Sequence, residues 1–459
     1  MPATSAAVER MQKKATPPRL VALATVAYAA IFAVLGADRY VTFHSGADLG
    51  LFTQTIASAF HGFTNTVEGT SHFAYHFSPI LYLCAPLLWV ARSALALVVV
   101  QAMATALVAP ALYAIARKRT TDTGAAALAC IALLYPPLQG VTFTDFHETA
   151  FLPATIAWLL WALDARRFGV AAILVLVALS IKEDQALAMA FLGAVGCVYF
   201  ARQGERRGVI FGAAVVAVST VVFWGYFAIV RPLAGATRAW VPRHFYAWSG
   251  YSGTRSPAAE IGGRITYLLE AFLPPALIPF RTPVVLLAIP GLVEVLASRE
   301  PLTYTMGQHY AAVWVPYVLV AFAVAGARLL SEAPRLGRRW IGTAAALCAI
   351  ALVFFSPLHL GHFLRLPNAA DAATNATIAQ IPNVASVGSY DEIYAHLGFF
   401  PHAAIGVRLH PKYVLYDDRY ASATWTYTIF PKIARALGAG TYRVVAVRNG
   451  VTLLERQER

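Results

Sequence analysis

The stretch VALATVAYAAIFAVLGA, residues 21–37, holds no charged side chain. As a helix it nearly matches the hydrocarbon thickness of a bilayer. Apolar runs of this kind recur through the first three quarters of the chain, and nothing else in the sequence restricts the fold so strongly. A backbone inside hydrocarbon must satisfy its own N–H and C=O groups, and a helix does so within one segment. Composition points the same way: 58% of the 459 residues are hydrophobic and 13% are charged, against about 25% charged in soluble domains. The expected fold class is an α-helical polytopic membrane protein.

The apolar runs place about eleven spans near 20–37, 93–116, 123–141, 149–163, 168–181, 185–200, 208–230, 265–280, 283–298, 309–328 and 340–357. The stretch 77–91 is apolar but short, and reads as a helix lying on or dipping into the membrane. Residues 1–19 form a polar, basic N-terminal segment leading into an uncleaved first span. The transmembrane domain is then 20–357, with an outer loop at 38–92.

Charge orients these spans. The loops on the N-terminal side hold 17 Lys/Arg and 5 Asp/Glu, and the opposite side, up to residue 357, holds 9 and 11. The basic side is expected to be cytoplasmic. Five arginines of 231–264 run against this bias. The net charge of +13 is thus absorbed by topology, and no basic aromatic patch suggests a nucleic-acid partner. Cys84, Cys130, Cys197 and Cys348 lie singly in apolar stretches, which reads as buried thiols.

After Phe355 the sequence turns globular. VASVGS and KYVLYDD read as strands, DEIYAHL and FPKIARALGAG as helices, and YRVVAVRNGVTLLER as a hairpin turning on Asn449-Gly450. Residues 358–459 are expected to form a small extracytoplasmic α/β domain.

Unusual polar residues collect at span ends on one side. They are Asp48, Gln54, His72 and His76 after the first span, then Asp145, His147 and Glu148, then Lys182, Glu183 and Asp184, then His309. The opposite loops contain no histidine. Ionisable groups at membrane depth are costly unless paired or functional, so this asymmetry reads as one polar cavity. Each residue also has a plainer explanation. Asp48 suits a helix N-cap, the Lys182 cluster could be a local charge pairing, and the turn at Asp145 could simply be solvated. His72 and His76 share a helix face at a metal-binding spacing. Together with Asp145, His147 and Glu148 they could hold a divalent cation, with magnesium or manganese favoured by carboxylates and zinc by imidazoles.

In order, DLGLFTQ, HFSPILYL, PPLQ with DFHE, IKED, HYAAVWVP and IPNVASVGSYDEIYAHL resemble the DUF2079 family of bacterial membrane proteins. That family is similar to the GT-C glycosyltransferases. The resemblance implies an essential acid in the first outer loop, at the position of Asp48, and a sugar donor on polyprenyl phosphate. It also implies residence in the bacterial inner membrane among its lipids. In that reading Asp48 is the catalytic base, and Gln54, Lys182, Glu183, Asp184, His309 and Arg243 bind substrate. The rival expectations are a transporter or flippase and a non-catalytic scaffold. Oligomeric state is not legible in the sequence.

Overall fold

The structure, a computed structural model, describes residues 3–236, 245–246, 256–354, 358–406, 410–420 and 439–457. Among these, six helices are long and apolar enough to cross a membrane: Thr16–Val41, Leu95–Ala116, Gln185–Arg202, Arg206–Leu233, Val315–Glu332 and Pro334–Phe354. A seventh arises if Asp122–Leu133 and Pro136–Phe143, bent by 52°, count as one span. These lengths do not confirm the expected count of eleven.

The shortfall has a local cause. Proline opens several segments and splits apolar runs, because it lacks an N–H and clashes with the preceding turn. Tyr135-Pro136-Pro137 marks the bend of the seventh span. Pro153 sits in the first turn of Leu152–Asp164, only 13 residues long. The segment expected at 265–280 is instead the 16-residue helix Pro257–Phe272, followed by Pro274 and Pro275. Phe168–Leu179, Pro79–Ala91 and Pro283–Ala297 are apolar helices below spanning length.

Burial sorts the long helices. Val315–Glu332 is the hub, with 78% of its apolar window buried inside the protein. Thr16–Val41 and Arg206–Leu233 bury only 17%, and Leu23, Val26, Val34 and Val221 point outward. Such apolar exteriors are what a lipid-facing surface requires. Gln185–Arg202 and Arg206–Gly225 approach at glycines: a Cβ on Gly193 would lie 2.7 Å from the Gly212 carbonyl oxygen. Small residues allow this closeness where no hydrophobic effect drives helices together.

The C-terminal region carries a five-stranded sheet of order β2-β1-β3-β5-β4, formed by β1 (Val387–Ser389), β2 (Ala403–Ile405), β3 (Tyr413–Asp417), β4 (Tyr442–Arg448) and β5 (Val451–Arg456). β1 is parallel to β2 and β3, and β5 is antiparallel to β3 and β4. The hairpin turns on Asn449 and Gly450, both at positive φ (45° and 80°), the conformation that Asn-Gly supplies to a two-residue turn. β2 was not expected, being only three residues long. The helix expected at 430–440 falls largely outside the described residues.

The sheet region docks on the helix Ala47–Ala57, which carries Asp48. Gln54 lies at the seam. Its Nε2 donates to the Phe400 carbonyl (2.8 Å), and its Oε1 accepts from Tyr394 Oη (2.8 Å) and Thr66 N (2.7 Å). Phe43 is fully buried in the same apolar cluster as Tyr390, Ile393, Tyr394 and Leu397. The loop after the first span and the C-terminal sheet therefore share one core.

Candidate active site

Between the Asp48 helix, the turn after Phe143, the loop Ile181–Asp184 and the loop before Val315 lies a cavity of about 1110 Å³. Nine of the residues singled out in the sequence line it: Asp48, His72, His76, His147, Glu148, Lys182, Glu183, Asp184 and His309. Four separate loops converge as expected from the clustering of polar residues on one side.

Asp48 sits in the first turn of its helix, one residue past the N-terminal residue Ala47. It is not the cap. Gly46 holds that position, and its N–H donates to Asp145 Oδ2 at 2.8 Å. Asp48 instead faces the cavity, with half of its side-chain surface open (50%) although protein atoms crowd around it on the other sides. Its Oδ2 lies 3.4 Å from His147 Nε2. Burial works against its charge, but the His147 charge and hydrogen bond, with Arg39, hold its carboxyl below the usual carboxylate range. The reciprocal effect raises His147 despite its burial.

The orientation of His147 is fixed from behind. Its Nδ1 lies 2.9 Å from the Asp145 carbonyl and donates there, which turns Nε2 toward Asp48. Its own N–H donates to Gln101 Oε1 (3.0 Å), while Gln101 Nε2 donates to the Thr144 carbonyl (2.6 Å). Asp145 pairs with Arg39 at 3.3 Å. Burial and the Asp48 charge nevertheless push its carboxyl up, against Arg39. Asp145 therefore braces the site from outside the cavity.

His309 arrives from the other side. Its ring stacks on His147 with centroids 3.4 Å apart and planes at 17°. That approach depends on glycine. Gly307 has φ +98°, and a Cβ on Gly140 would lie 2.6 Å from Gly307 Cα. Burial and the charges of His147, Lys182 and His76 hold His309 well below the usual imidazole range.

A second group sits across the cavity. His76 Nδ1 pairs with Glu183 Oε1 at 2.9 Å, and Glu183 Oε2 accepts from Phe77 N at 2.9 Å. Burial opposes both charges, yet the pair raises His76 and lowers Glu183. Lys182 Nζ lies 3.4 Å from Asp184 Oδ2. Burial disfavours its charge, but Asp184, Glu148, Glu183 and Glu294 hold it protonated. Glu148 is 2% exposed, and its Oε2 has no hydrogen-bond partner among the described residues.

The predicted metal set does not assemble. Asp145 is engaged by Arg39 and Gly46, His72 by Glu68 (3.0 Å), and His76 by Glu183. Gln54, expected to bind substrate, is consumed by the seam with the sheet and does not line the cavity. Arg243 lies outside the described residues. Sequence reasoning also missed Arg39, Gln101, Glu68, Glu294 and Tyr310. Gln101 carried a signal, as a lone amide within VVVQAMA. The remaining wall is apolar, with Phe52, Leu187, Phe223, Phe227 and Val293 among its residues. Leu187 and Phe223 belong to helices of membrane-spanning length.

A family model described as "Predicted membrane protein (DUF2079)" matches residues 39–453. No curated protein matches the chain. Two solved structures of ArnT from Cupriavidus metallidurans are similar over nearly their whole length. The one bound to undecaprenyl phosphate has a TM-score of 0.57 at 15% identity, covering 94% of this chain and 97% of that one. The apo form has a TM-score of 0.55 at 13% identity with the same coverage. At such identity the likeness establishes a shared fold, the GT-C-like architecture.

Proposed function

The chain belongs to the DUF2079 family of predicted membrane proteins, and on that footing we propose that it is a glycosyltransferase drawing on a polyprenyl-phosphate-linked sugar. The observation that carries this reading is Asp48. It is an ionised carboxylate opening into a cavity whose other wall is apolar and partly built by membrane-length helices. The undecaprenyl phosphate held by ArnT, on the same fold, supports a lipid phosphate as donor here.

In this reaction the acceptor hydroxyl or amine gives its proton to Asp48. The acceptor atom bonds to the anomeric carbon as the bond from that carbon to the phosphate oxygen breaks. Direct displacement inverts the anomeric centre, and polyprenyl phosphate departs. The leaving phosphate gains negative charge, and Lys182 is the buried cation across the cavity that can offset it. The apolar wall of Phe223, Phe227 and Leu187 suits the prenyl chain. In the proposed topology the N-terminus is cytoplasmic, and the cavity and residues 358–459 face outward across the bacterial inner membrane. The acceptor is then an extracytoplasmic lipid, glycan or protein.

The test is mass analysis of lipid-linked sugars and surface glycans in cells lacking the gene, restored with wild type or Asp48→Asn. Wild type should restore a missing glycan and return its lipid-linked donor to normal levels, and Asp48→Asn should do neither. Identical profiles in all strains would sink the reading.

A further inference from the structure

We infer that Arg335, Arg338 and Arg339 form a binding site for an anionic phospholipid headgroup, with a two-phosphate headgroup such as that of cardiolipin the best match. The three side chains line a hollow of about 360 Å³. They stand in the first turns of Pro334–Phe354, three and four residues apart, which puts them on one helix face. That helix is long and apolar enough to cross a membrane, and so is Val315–Glu332 just before it. The turn between the two is tight, since a Cβ on Gly337 would lie 2.7 Å from the Leu329 carbonyl oxygen. The arginines therefore sit where both helices reach one membrane surface.

Charge balance separates this trio from its neighbours. A Cβ on Gly124 would lie 3.1 Å from Leu330 Cδ1, so the loop at 117–121 adjoins the same turn. In that loop Lys118 and Arg119 pair with Asp164, and Arg166 pairs with Glu205. Arg335, Arg338 and Arg339 have no ion pair among the described residues. Like charges at this spacing destabilise a helix, so the arrangement calls for a counter-charge from outside the chain. Guanidinium groups bind phosphate oxygens bidentately. Three of them can engage two phosphates, whereas a single phosphodiester leaves more of the charge unbalanced.

The surroundings favour a lipid over a soluble anion. Leu336 and Trp340, beside the arginines, are exposed, and tryptophan is enriched at headgroup level. Along the face of Arg335 and Arg339 follow Gly342, Ala346 and Ala349, all small and exposed, and then Val353. Acyl chains can lie along this strip while the phosphates stay with the arginines. Basic pockets beside membrane helices take such headgroups. The inference does not rest on sugar transfer.

The test uses the full-length protein in detergent, given cardiolipin or phosphatidylcholine and read by native mass spectrometry. Wild type should retain cardiolipin and not phosphatidylcholine. The combined variant Arg335→Gln, Arg338→Gln, Arg339→Gln should retain at least tenfold less cardiolipin. Combined Arg202→Gln, Arg206→Gln and Arg207→Gln removes the same charge from exposed residues at the same end, and should change retention less than twofold. Undiminished retention in the first variant overturns the inference. So does an equal loss in both variants, which reduces the effect to net charge, and so does equal retention of phosphatidylcholine. If the first variant does not fold, competition on wild type decides. Excess inorganic pyrophosphate should leave the lipid bound, and displacement by it overturns the lipid assignment in favour of a soluble diphosphate.

Discussion

His147 Nε2 stands 3.4 Å from Asp48 Oδ2, in a pair whose charges support one another inside a cavity that would otherwise suppress both. The carboxylate stays ionised because the imidazole is near, and the imidazole is aimed because the Asp145 carbonyl accepts from its other nitrogen. General-base catalysis, as proposed above, needs a carboxylate that is ionised and accessible; the pair favours the ionised form, and half of the Asp48 side chain is open to the cavity.

Asp48→Asn should lower transfer by about 10²–10⁴-fold, the usual contribution of a general base, without loss of folding. The Asp48 carboxyl lies below its ordinary range, so it stays ionised as pH falls through the usual carboxylate titration. Removing the His147 charge and hydrogen bond leaves burial less opposed. His147→Ala should therefore move the Asp48 titration upward. Infrared titration of the Asp48 carboxyl band in chelator-treated protein measures this directly.

Gln54→Ala should loosen the sheet region from the membrane part. It strips partners from the Phe400 carbonyl, Thr66 N–H and Tyr394 hydroxyl. Leaving buried polar groups unpaired costs about 1–3 kcal/mol. Faster proteolytic release of residues 358–459 and a lower melting temperature are the expected readings. Gln54→Glu should be nearly as damaging, because it loses the amide donor to Phe400.

Gly50→Ala should destabilise the same seam by about 1–3 kcal/mol. Its Cβ would lie 2.6 Å from the Tyr394 carbonyl oxygen, a backbone atom that cannot swing aside. Gly342→Ala, where a Cβ meets nothing within 4 Å, is the control that should leave the melting temperature unchanged or higher.

Asp391 in the sheet region is pushed up to about 7, first by burial and then by the charges of Glu392, Asp48 and Asp145. A carboxyl raised above its unfolded value of about 3.9 gives stability that is complete below that value and lost as pH rises through the folded value. The fold should therefore weaken between about pH 4 and 7 on this group's account. Asp391→Asn should raise the melting temperature more at pH 8 than at pH 5. Thermal melts of both proteins at the two pH values check the sign.

Much of the architecture is legible because it is set by local composition. Runs such as residues 21–37 demand helices wherever they fall in the chain, and Asn449-Gly450 demands a tight hairpin turn. The span boundaries are less legible. Prolines divide apolar sequence into pieces whose ends depend on neighbouring helices, as at the 52° break before Pro136. The cavity was foreseeable from the unusual polar residues that recur in four loops, which line it together. Its internal pairing was not. Asp145, His147 and Glu148 are near neighbours in the chain, yet they point to Arg39, to Asp48 and into the cavity respectively.

The sequence by itself determined a helical membrane protein with a small sheet near its C-terminus and unusual polar residues concentrated in a few loops between apolar runs. Only the tertiary structure decided that Gln54 serves the seam, that Asp145 braces the turn, and that Asp48, His147 and His309 meet. Hydrophobicity acts residue by residue and can be read along the chain. A hydrogen bond or ion pair needs two atoms within about 3 Å, and loop closure over a hundred residues sets which two those are.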